Sequence, residues 1–114
     1  KILNERNLIS YLRVNNFEII YPEKLSFYEQ VEIFSKASMI IGPHGAGHIN
    51  HLFSEKCKII EFQGDITRLA LGFFTTAQVL DHKWELFICE EDKNSGSLRI
   101  DINALDSLIK KLQK

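Results

Sequence analysis

The clearest indication of the fold is the stretch 38–48, which is Ser38-Met39-Ile40-Ile41-Gly42-Pro43-His44-Gly45-Ala46-Gly47-His48. Its first part is apolar throughout and predicts a strand covered on both faces, as in a parallel sheet. Its glycine-rich part predicts a tight turn, and the residues that follow, up to Phe53, have a helical pattern. Open α/β sheets use a strand, a glycine turn and a helix in this order to present backbone N–H groups to an anionic ligand.

Helices and strands alternate on both sides of this stretch. Helical patterns cover residues 4–14, 26–36, 66–77 and 103–112. Ser26 and Glu29 are predicted to form a capping box at the start of the second helix. Asn103, together with Asp106, is predicted to cap the last helix. Strand patterns cover residues 17–21, 58–62 and 84–89, with a short edge strand over 98–102. The expected fold is therefore one Rossmann-like domain over residues 1–114, a three-layer α/β/α arrangement with a mostly parallel sheet of four to five strands.

The composition is that of an ordinary globular protein. A net charge of -1 and the lack of a basic run interleaved with aromatic residues argue against a nucleic-acid partner. No apolar stretch is long enough to predict a transmembrane segment. Cys57 and Cys89 lie beside apolar runs and are interpreted as small core residues, while a disulfide between them stays open.

The glycine turn differs from two familiar phosphate-binding motifs. It lacks the Gly-Lys-Ser/Thr of a P-loop, and Gly42, Gly45 and Gly47 are not spaced as G-x-G-x-x-G. Glycines still let a ligand approach the backbone, and the start of the next helix offers unpaired N–H groups. A phosphate, diphosphate or carboxylate would fit there. The alternative is that the glycines only permit a tight turn, but His44 and Asn50 in the same segment favour binding.

Glu61 is the candidate for a ribose contact. It follows the first glycine by about 20 residues and is expected at the carboxyl end of the next strand, where an acid often accepts hydrogen bonds from ribose hydroxyls. The alternative is a solvated glutamate at a strand end.

Three histidines fall on one side of the helix predicted after the turn. They are His44, His48 and His51. His44 precedes the helix and is the residue expected to contact a ligand. His48 and His51 are expected to face solvent or to lie at the edge of a cleft. A His-x3-His pair could bind zinc, but no third ligand is recognisable, so no metal is expected. His82, next to Asp81, is interpreted as an exposed turn residue.

A resemblance to a known family is carried by several segments. They are Asn4-Glu5, Leu25-Ser26-Phe27-Tyr28-Glu29-Gln30-Val31, Phe34-Ser35-Lys36-Ala37, Ile40-Ile41-Gly42-Pro43-His44-Gly45-Ala46-Gly47, Asn50, Leu52-Phe53 and Ile59-Ile60-Glu61. In these segments the chain resembles glycosyltransferase family 61, which includes plant xylosyl- and arabinosyltransferases, O-GlcNAc transferases of the animal secretory pathway and bacterial capsular polysaccharide proteins. Beyond residue 61 the resemblance thins to scattered matches.

The resemblance implies the C-terminal, donor-binding part of an inverting GT-B enzyme with two Rossmann-like domains. Its substrates would be a nucleotide sugar and a hydroxyl-bearing acceptor, with no cofactor and no essential metal. The donor diphosphate would contact Gly42, Pro43, His44, Gly45, Ala46, Gly47 and Asn50. The ribose would contact Glu61, and His44 would be a candidate catalytic residue.

Some features of the chain depart from the family pattern. His48 and Ile49 stand where the family usually has Leu or Met followed by a small residue, which puts the donor sugar in doubt. The chain begins without Met, and an arginine-bearing segment expected before Asn4 is absent, so a preceding N-terminal domain with the catalytic base is expected. A bacterial-type cytoplasmic or membrane-associated location is favoured over the secretory lumen. A non-catalytic Rossmann-like nucleotide-binding or interaction module remains the alternative function.

Overall fold

The structure is a computed structural model that describes residues 1–43, 57–64 and 82–114. Three helices lie in these ranges, namely α1 (Glu5–Val14), α2 (Phe27–Ser35) and α3 (Ile102–Leu112), with a 3-10 turn at Pro22–Lys24. The strands are β1 (Met39–Pro43), β2 (Lys58–Gln63), β3 (Lys83–Ile88), β4 (Glu90–Glu91) and β5 (Leu98–Arg99). The helices predicted up to Phe53 and over 66–77 lie outside the described residues.

The central sheet is parallel, as the sequence predicts. Its strand order is β1-β2-β3, and both pairings are parallel. In the register, Gly42 of β1 lies beside Glu61 of β2, which in turn lies beside Leu86 of β3. The α/β class with a Rossmann-like sheet is therefore confirmed, with three parallel strands in the described part of the chain.

One face of the sheet carries the main core. Ile60 and Phe62 of β2 pack on this face against Leu8 and Leu12 of α1 and Leu105, Ile109 and Leu112 of α3, all of them buried. The helical spacing of these leucines explains why each helix presents one apolar stripe to the sheet. The opposite face carries a smaller cluster around Ile59, with Ile40 and Trp84 packed against it.

The two cysteines are buried free thiols, as their apolar neighbours predict, and they form no disulfide. Burial raises the pKa of Cys89 to about 11. This thiol is therefore protonated at neutral pH and is a packing residue, since the thiolate is the reactive form.

The strand predicted over residues 17–21 is wrong. The chain leaves α1 through Asn16, which has a positive φ of 67°, and the Phe17 N–H donates to the Leu12 carbonyl at 2.9 Å. This is a Schellman-type helix end, completed by packing of Phe17 and Leu12 in one cluster. At the other end, the Gln30 side chain donates to the Pro22 carbonyl at 3.0 Å. Both ends of the segment are thus tied to helices, and the segment makes no ladder with β1.

The predicted edge strand over 98–102 is shorter and pairs elsewhere. Leu98 and Arg99 form an antiparallel hairpin with Glu90 and Glu91, apart from the parallel sheet. The turn is closed by the Asp92 N–H, which donates to the Ser97 carbonyl at 2.8 Å. The strand ends early because Asp101 already caps α3, its side chain accepting from the Ala104 N–H at 3.1 Å.

The cap predicted at Asn103 is therefore wrong, because that residue lies inside the helix. The capping box of α2 is confirmed, with the Ser26 hydroxyl accepting from the Glu29 N–H at 3.1 Å and Glu29 accepting from the Ser26 N–H at 2.9 Å. The Ser26 N–H and hydroxyl hold the pKa of Glu29 below its usual value.

None of the helices in the described ranges is long and apolar enough to cross a membrane.

Candidate functional site

The carboxyl end of the parallel sheet is the place where the described part of the family motif lies. β1 ends at Pro43, so Gly42 and Pro43 stand at the last positions of a parallel strand. Gly42 is half-buried and Pro43 is exposed. The predicted site residues His44, Gly45, Ala46, Gly47 and Asn50 lie outside the described residues.

Glu61 lies directly beside Gly42. The two Cα positions are partners in the β1–β2 register, so the sheet brings together the first glycine of the motif and the predicted ribose acid. Glu61 is 0% exposed, and β2 continues past it to Gln63. The alternative of a solvated glutamate at a strand end is therefore wrong.

The side chain of Glu61 has a glycine as one lateral neighbour and Leu86 as the other. Because Gly42 has no side chain, β1 itself places no side chain beside the carboxylate. Removing a carboxylate from water costs several kcal/mol unless polar groups satisfy it. A buried acid in the central strand of the described sheet therefore needs polar groups around its carboxylate.

A second polar residue, Gln63, follows on the same face of β2 and was missed by the sequence reading. Along β2, Ile60 and Phe62 point to the α1 and α3 side, so Ile59, Glu61 and Gln63 share the other side. Gln63 is 7% exposed, and its backbone carbonyl accepts from the Cys89 N–H at 2.9 Å. The signal in the sequence was the spacing of two polar residues, two positions apart, in an otherwise apolar strand.

His82 is buried, and the expectation that it is an exposed turn residue is wrong. It directly precedes β3, where the Lys83 N–H donates to the Cys57 carbonyl at 3.1 Å. Since the strands are parallel, this is the amino end of the sheet, opposite to Gly42 and Pro43. His82 therefore does not join the candidate site.

Over the ranges 1–43, 57–64 and 82–114, no group of three or more His, Cys, Asp or Glu residues is placed to hold a metal ion. His44, His48 and His51 are not among these residues.

A large cleft opens beside β1 and also reaches Lys58 and Phe62 of β2. Its volume is about 1340 Å³, and its described walls are α1, the segment 15–23, the end of α2 and β1 itself. Gly42 and Pro43 belong to the lining, so the cleft reaches the carboxyl end of β1. Tyr21 also belongs to the lining of the cleft. The cleft and the sheet end are thus two parts of one continuous surface.

A parallel α/β sheet, a glycine-rich stretch after one strand and an acid on the neighbouring strand are features of nucleotide-binding Rossmann-like domains. The family model described as Glycosyltransferase 61 matches residues 1–60. This match covers more than half of the chain and includes α1, α2, β1 and the first positions of β2. The chain belongs to glycosyltransferase family 61.

No curated protein and no solved structure shows significant similarity to the chain. The resemblance read from the motif segments is confirmed by the family match, which takes in the whole glycine stretch up to Gly47 and Asn50. Membership implies a sugar donor and an acceptor. Glu61 lies one residue beyond the matched range, so its role depends on its position beside Gly42.

Proposed function

We propose that the chain forms the nucleotide-sugar-binding part of an inverting glycosyltransferase, with the donor at the carboxyl ends of β1 and β2. The observation that carries the proposal is the pairing of Gly42 with Glu61 at the point where β1 leads into the family's glycine stretch. Ligands of open α/β sheets bind in the crevice outside the carboxyl ends of the strands. Both residues lie at that end of the described sheet.

The diphosphate contacts come from the exit of β1. Gly42 and Pro43 begin the stretch, and His44, Gly45, Ala46, Gly47 and Asn50 continue it along the chain. Backbone N–H groups at glycines and at a following helix start bind phosphate oxygens without needing a cationic side chain. The same donors stabilise the charge that develops on the nucleotide diphosphate as it leaves the sugar.

We assign the ribose hydroxyls to Glu61, because a carboxylate can accept from both hydroxyls of a vicinal diol. The carboxylate is fully buried, so this assignment requires the donor to enter beside Gly42, where β1 carries no side chain. Under this assignment, position 42 must be a glycine so that the ribose can reach the carboxylate of Glu61.

Transfer with inversion needs a base that takes the proton of the acceptor hydroxyl while the nucleotide departs on the opposite side of the sugar. His44 is the candidate base in this chain, and a residue of the second domain that the family resemblance implies is the alternative. The acceptor is a hydroxyl group of a growing polysaccharide or glycoconjugate, and no metal or cofactor takes part in the proposed reaction.

The experiment is an NMR titration of the protein with UDP, GDP and CMP. We expect one nucleotide to shift the amide signals of Gly42 and Glu61 while those of α3 stay unchanged. Glu61→Gln should weaken that nucleotide at least tenfold, because hydrogen bonds to a charged group contribute about 1.5–3 kcal/mol. The matched control is Glu90→Gln, on the exposed part of β4.

Absence of shifts with all three nucleotides at millimolar concentration would contradict the donor site. A second measurement separates an enzyme from a binding module. With a nucleotide sugar and an acceptor, an enzyme releases the nucleotide and forms a product of inverted anomeric configuration, whereas a non-catalytic module binds the nucleotide and releases nothing.

A further inference from the structure

The cleft beside β1 differs in character from the proposed donor site. Ligand pockets for small molecules usually have volumes of roughly 300–1,000 Å³. The cleft has about 1340 Å³, and the segment 15–23 and β1 both line it. Its size therefore suits an extended ligand better than a single nucleotide.

The charges of the cleft do not suit a diphosphate. Among the described residues, its lining contains four carboxylates and three lysines, which are Glu5, Glu18, Glu23, Glu32, Lys1, Lys36 and Lys58. Two of the lysines are engaged, since Lys36 pairs with Glu32 at 3.7 Å and the Lys58 ammonium donates to the Leu112 carbonyl. Within the described ranges, Glu18 and Glu23 form no salt bridge. Exposed carboxylates repel an anionic ligand but accept hydrogen bonds from hydroxyl groups.

Tyr21 adds an aromatic surface to this wall. It is 43% exposed although the Lys24 ammonium lies 5.0 Å from its ring centroid. The loop that carries it is fixed to α2 by the Gln30 side chain, which donates to the carbonyls of Pro22 and Leu25. An aromatic face is electron-rich and attracts the C–H groups of a sugar ring, whose hydrogens carry partial positive charge. A fixed and exposed ring beside free carboxylates is thus suited to a pyranose.

We propose that the cleft binds the saccharide acceptor, as an extended and uncharged chain of sugars that stacks on Tyr21 and donates hydroxyl hydrogen bonds to Glu18 and Glu23. This inference rests on the proposed donor site, because Gly42 and Pro43 line the cleft as well as the sheet end. Because Tyr21, Gly42 and Pro43 line the same cleft, a saccharide bound there can contact both Tyr21 and the carboxyl end of β1. Its last hydroxyl then meets the donor sugar there.

The test is an NMR titration with neutral oligosaccharides of four units: β-linked glucose, α-linked glucose, β-linked xylose and β-linked N-acetylglucosamine. At least one should shift the amide signals of residues 18–23 and 39–42 and leave those of α3 unchanged. Tyr21→Ala should weaken that oligosaccharide at least fivefold, and Tyr21→Phe should preserve its binding because the ring remains. The control is Tyr28→Ala, since Tyr28 is 83% exposed and lies outside the cleft lining.

Several results would overturn the acceptor site. These are no shifts with any of the four oligosaccharides, equal weakening by Tyr21→Ala and Tyr28→Ala, or shifts of the same amides by a long-chain alcohol that carries no sugar. If a nucleotide shifts Gly42 and Glu61 but no oligosaccharide shifts the cleft, this inference fails and the donor site stands. If an oligosaccharide binds the cleft and no nucleotide binds, the donor site fails and the chain is a saccharide-binding module.

Discussion

The side-chain amide of Asn4 forms two hydrogen bonds with the backbone of Ile100. The Asn4 Nδ2 donates to the Ile100 carbonyl at 2.8 Å, and the Ile100 N–H donates to the Asn4 Oδ1 at 2.9 Å. The amide thereby takes the place of a neighbouring strand at the point where β5 has ended. It fixes the start of α1 to the start of α3, next to the bridge between Ile2 and Leu98.

Loss of the two hydrogen bonds between Asn4 and Ile100 should lower the free energy of unfolding. Asn4→Ala leaves both backbone groups of the buried Ile100 without their partner, so we expect a loss of about 2–3 kcal/mol in the free energy of unfolding. The measurement is urea denaturation followed by circular dichroism. Asn7→Ala, on the exposed side of α1, is the control and should change stability by less than about 0.5 kcal/mol. Equal effects of the two variants would show that the pair does not stabilise the fold.

The N-terminus of α3 allows two neighbouring polar residues to be compared. Asp101 caps the helix through the Ala104 N–H, while Asn103 lies in the first turn with no capping bond. Asp101→Ala should lower the free energy of unfolding by about 1 kcal/mol, the usual cost of losing an N-cap. Asn103→Ala should have little effect in the same denaturation experiment. A larger loss for Asn103→Ala would place the helix start two residues later.

The local features of this fold could be predicted from sequence because neighbouring residues decide them. The Ser26–Glu29 capping box involves residues three positions apart, and the stripes of α1 and α3 follow from helical spacing. β1, β2 and β3 are short apolar runs between turn residues, which is a pattern typical of parallel strands.

Contacts between residues that are far apart in the chain could not be predicted from the sequence. Asn4 stands at the start of α1, where the sequence places the beginning of a helix, but its side chain makes no capping hydrogen bond and pairs with Ile100, which is 96 positions away. Residues 17–21 have strand composition, yet strand formation needs a partner, and both ends of the segment are held by helices. At the site, the spacing predicted that Glu61 lies near Gly42, while its complete burial depends on neighbours that spacing does not reveal.

Tyr11 and Asp106 give α1 and α3 a pH-sensitive contact. The Tyr11 hydroxyl donates to Asp106 Oδ1 at 2.5 Å. Burial, together with this bond, raises the pKa of Tyr11 from 10.0 to about 12. The folded state thus holds the phenol proton more tightly than the unfolded chain, so the contribution is complete below pH 10 and is lost as the pH rises to about 12.

The test compares the urea midpoint of the wild type with that of Tyr11→Phe between pH 8 and pH 12. The difference between the two proteins should be constant up to about pH 10 and then shrink as the wild type loses its bond. Comparison with the variant cancels the titration of other groups. A difference that stays constant through pH 12 would contradict the raised pKa of Tyr11.

Gly64 is needed for space, whereas Gly96 is needed for backbone conformation. A Cβ at position 64 would lie 2.5 Å from Glu91 Oε1 and 2.7 Å from Leu98 Cδ2, both in the β4–β5 hairpin. Gly64→Ala should therefore destabilise the protein by about 1–3 kcal/mol through overpacking. Gly96 has a φ of +73° and only a distant neighbour at 3.8 Å, so Gly96→Ala should cost about 1–2 kcal/mol through strain alone.

The two glycines differ in how they should respond to a second substitution. Glu91→Ala removes the closest atom that a Cβ at Gly64 would meet, so it should relieve part of the cost of Gly64→Ala in a double-mutant cycle. The same second substitution should give no relief to Gly96→Ala. Additive effects in both cycles would show that the cost at Gly64 does not arise from contact with Glu91.

The glycine stretch itself leads to the most direct functional prediction. Gly45→Val places a branched side chain where a diphosphate is proposed to approach the backbone, so the nucleotide found by titration should bind at least tenfold more weakly. The melting temperature should fall only slightly if the glycine serves ligand approach and not the fold. The two quantities, the dissociation constant and the melting temperature, are measured on the same protein sample. If Gly45→Val instead unfolds the protein, the glycine serves the turn that the sequence predicts after β1, and the donor site must then be tested with Glu61→Gln alone.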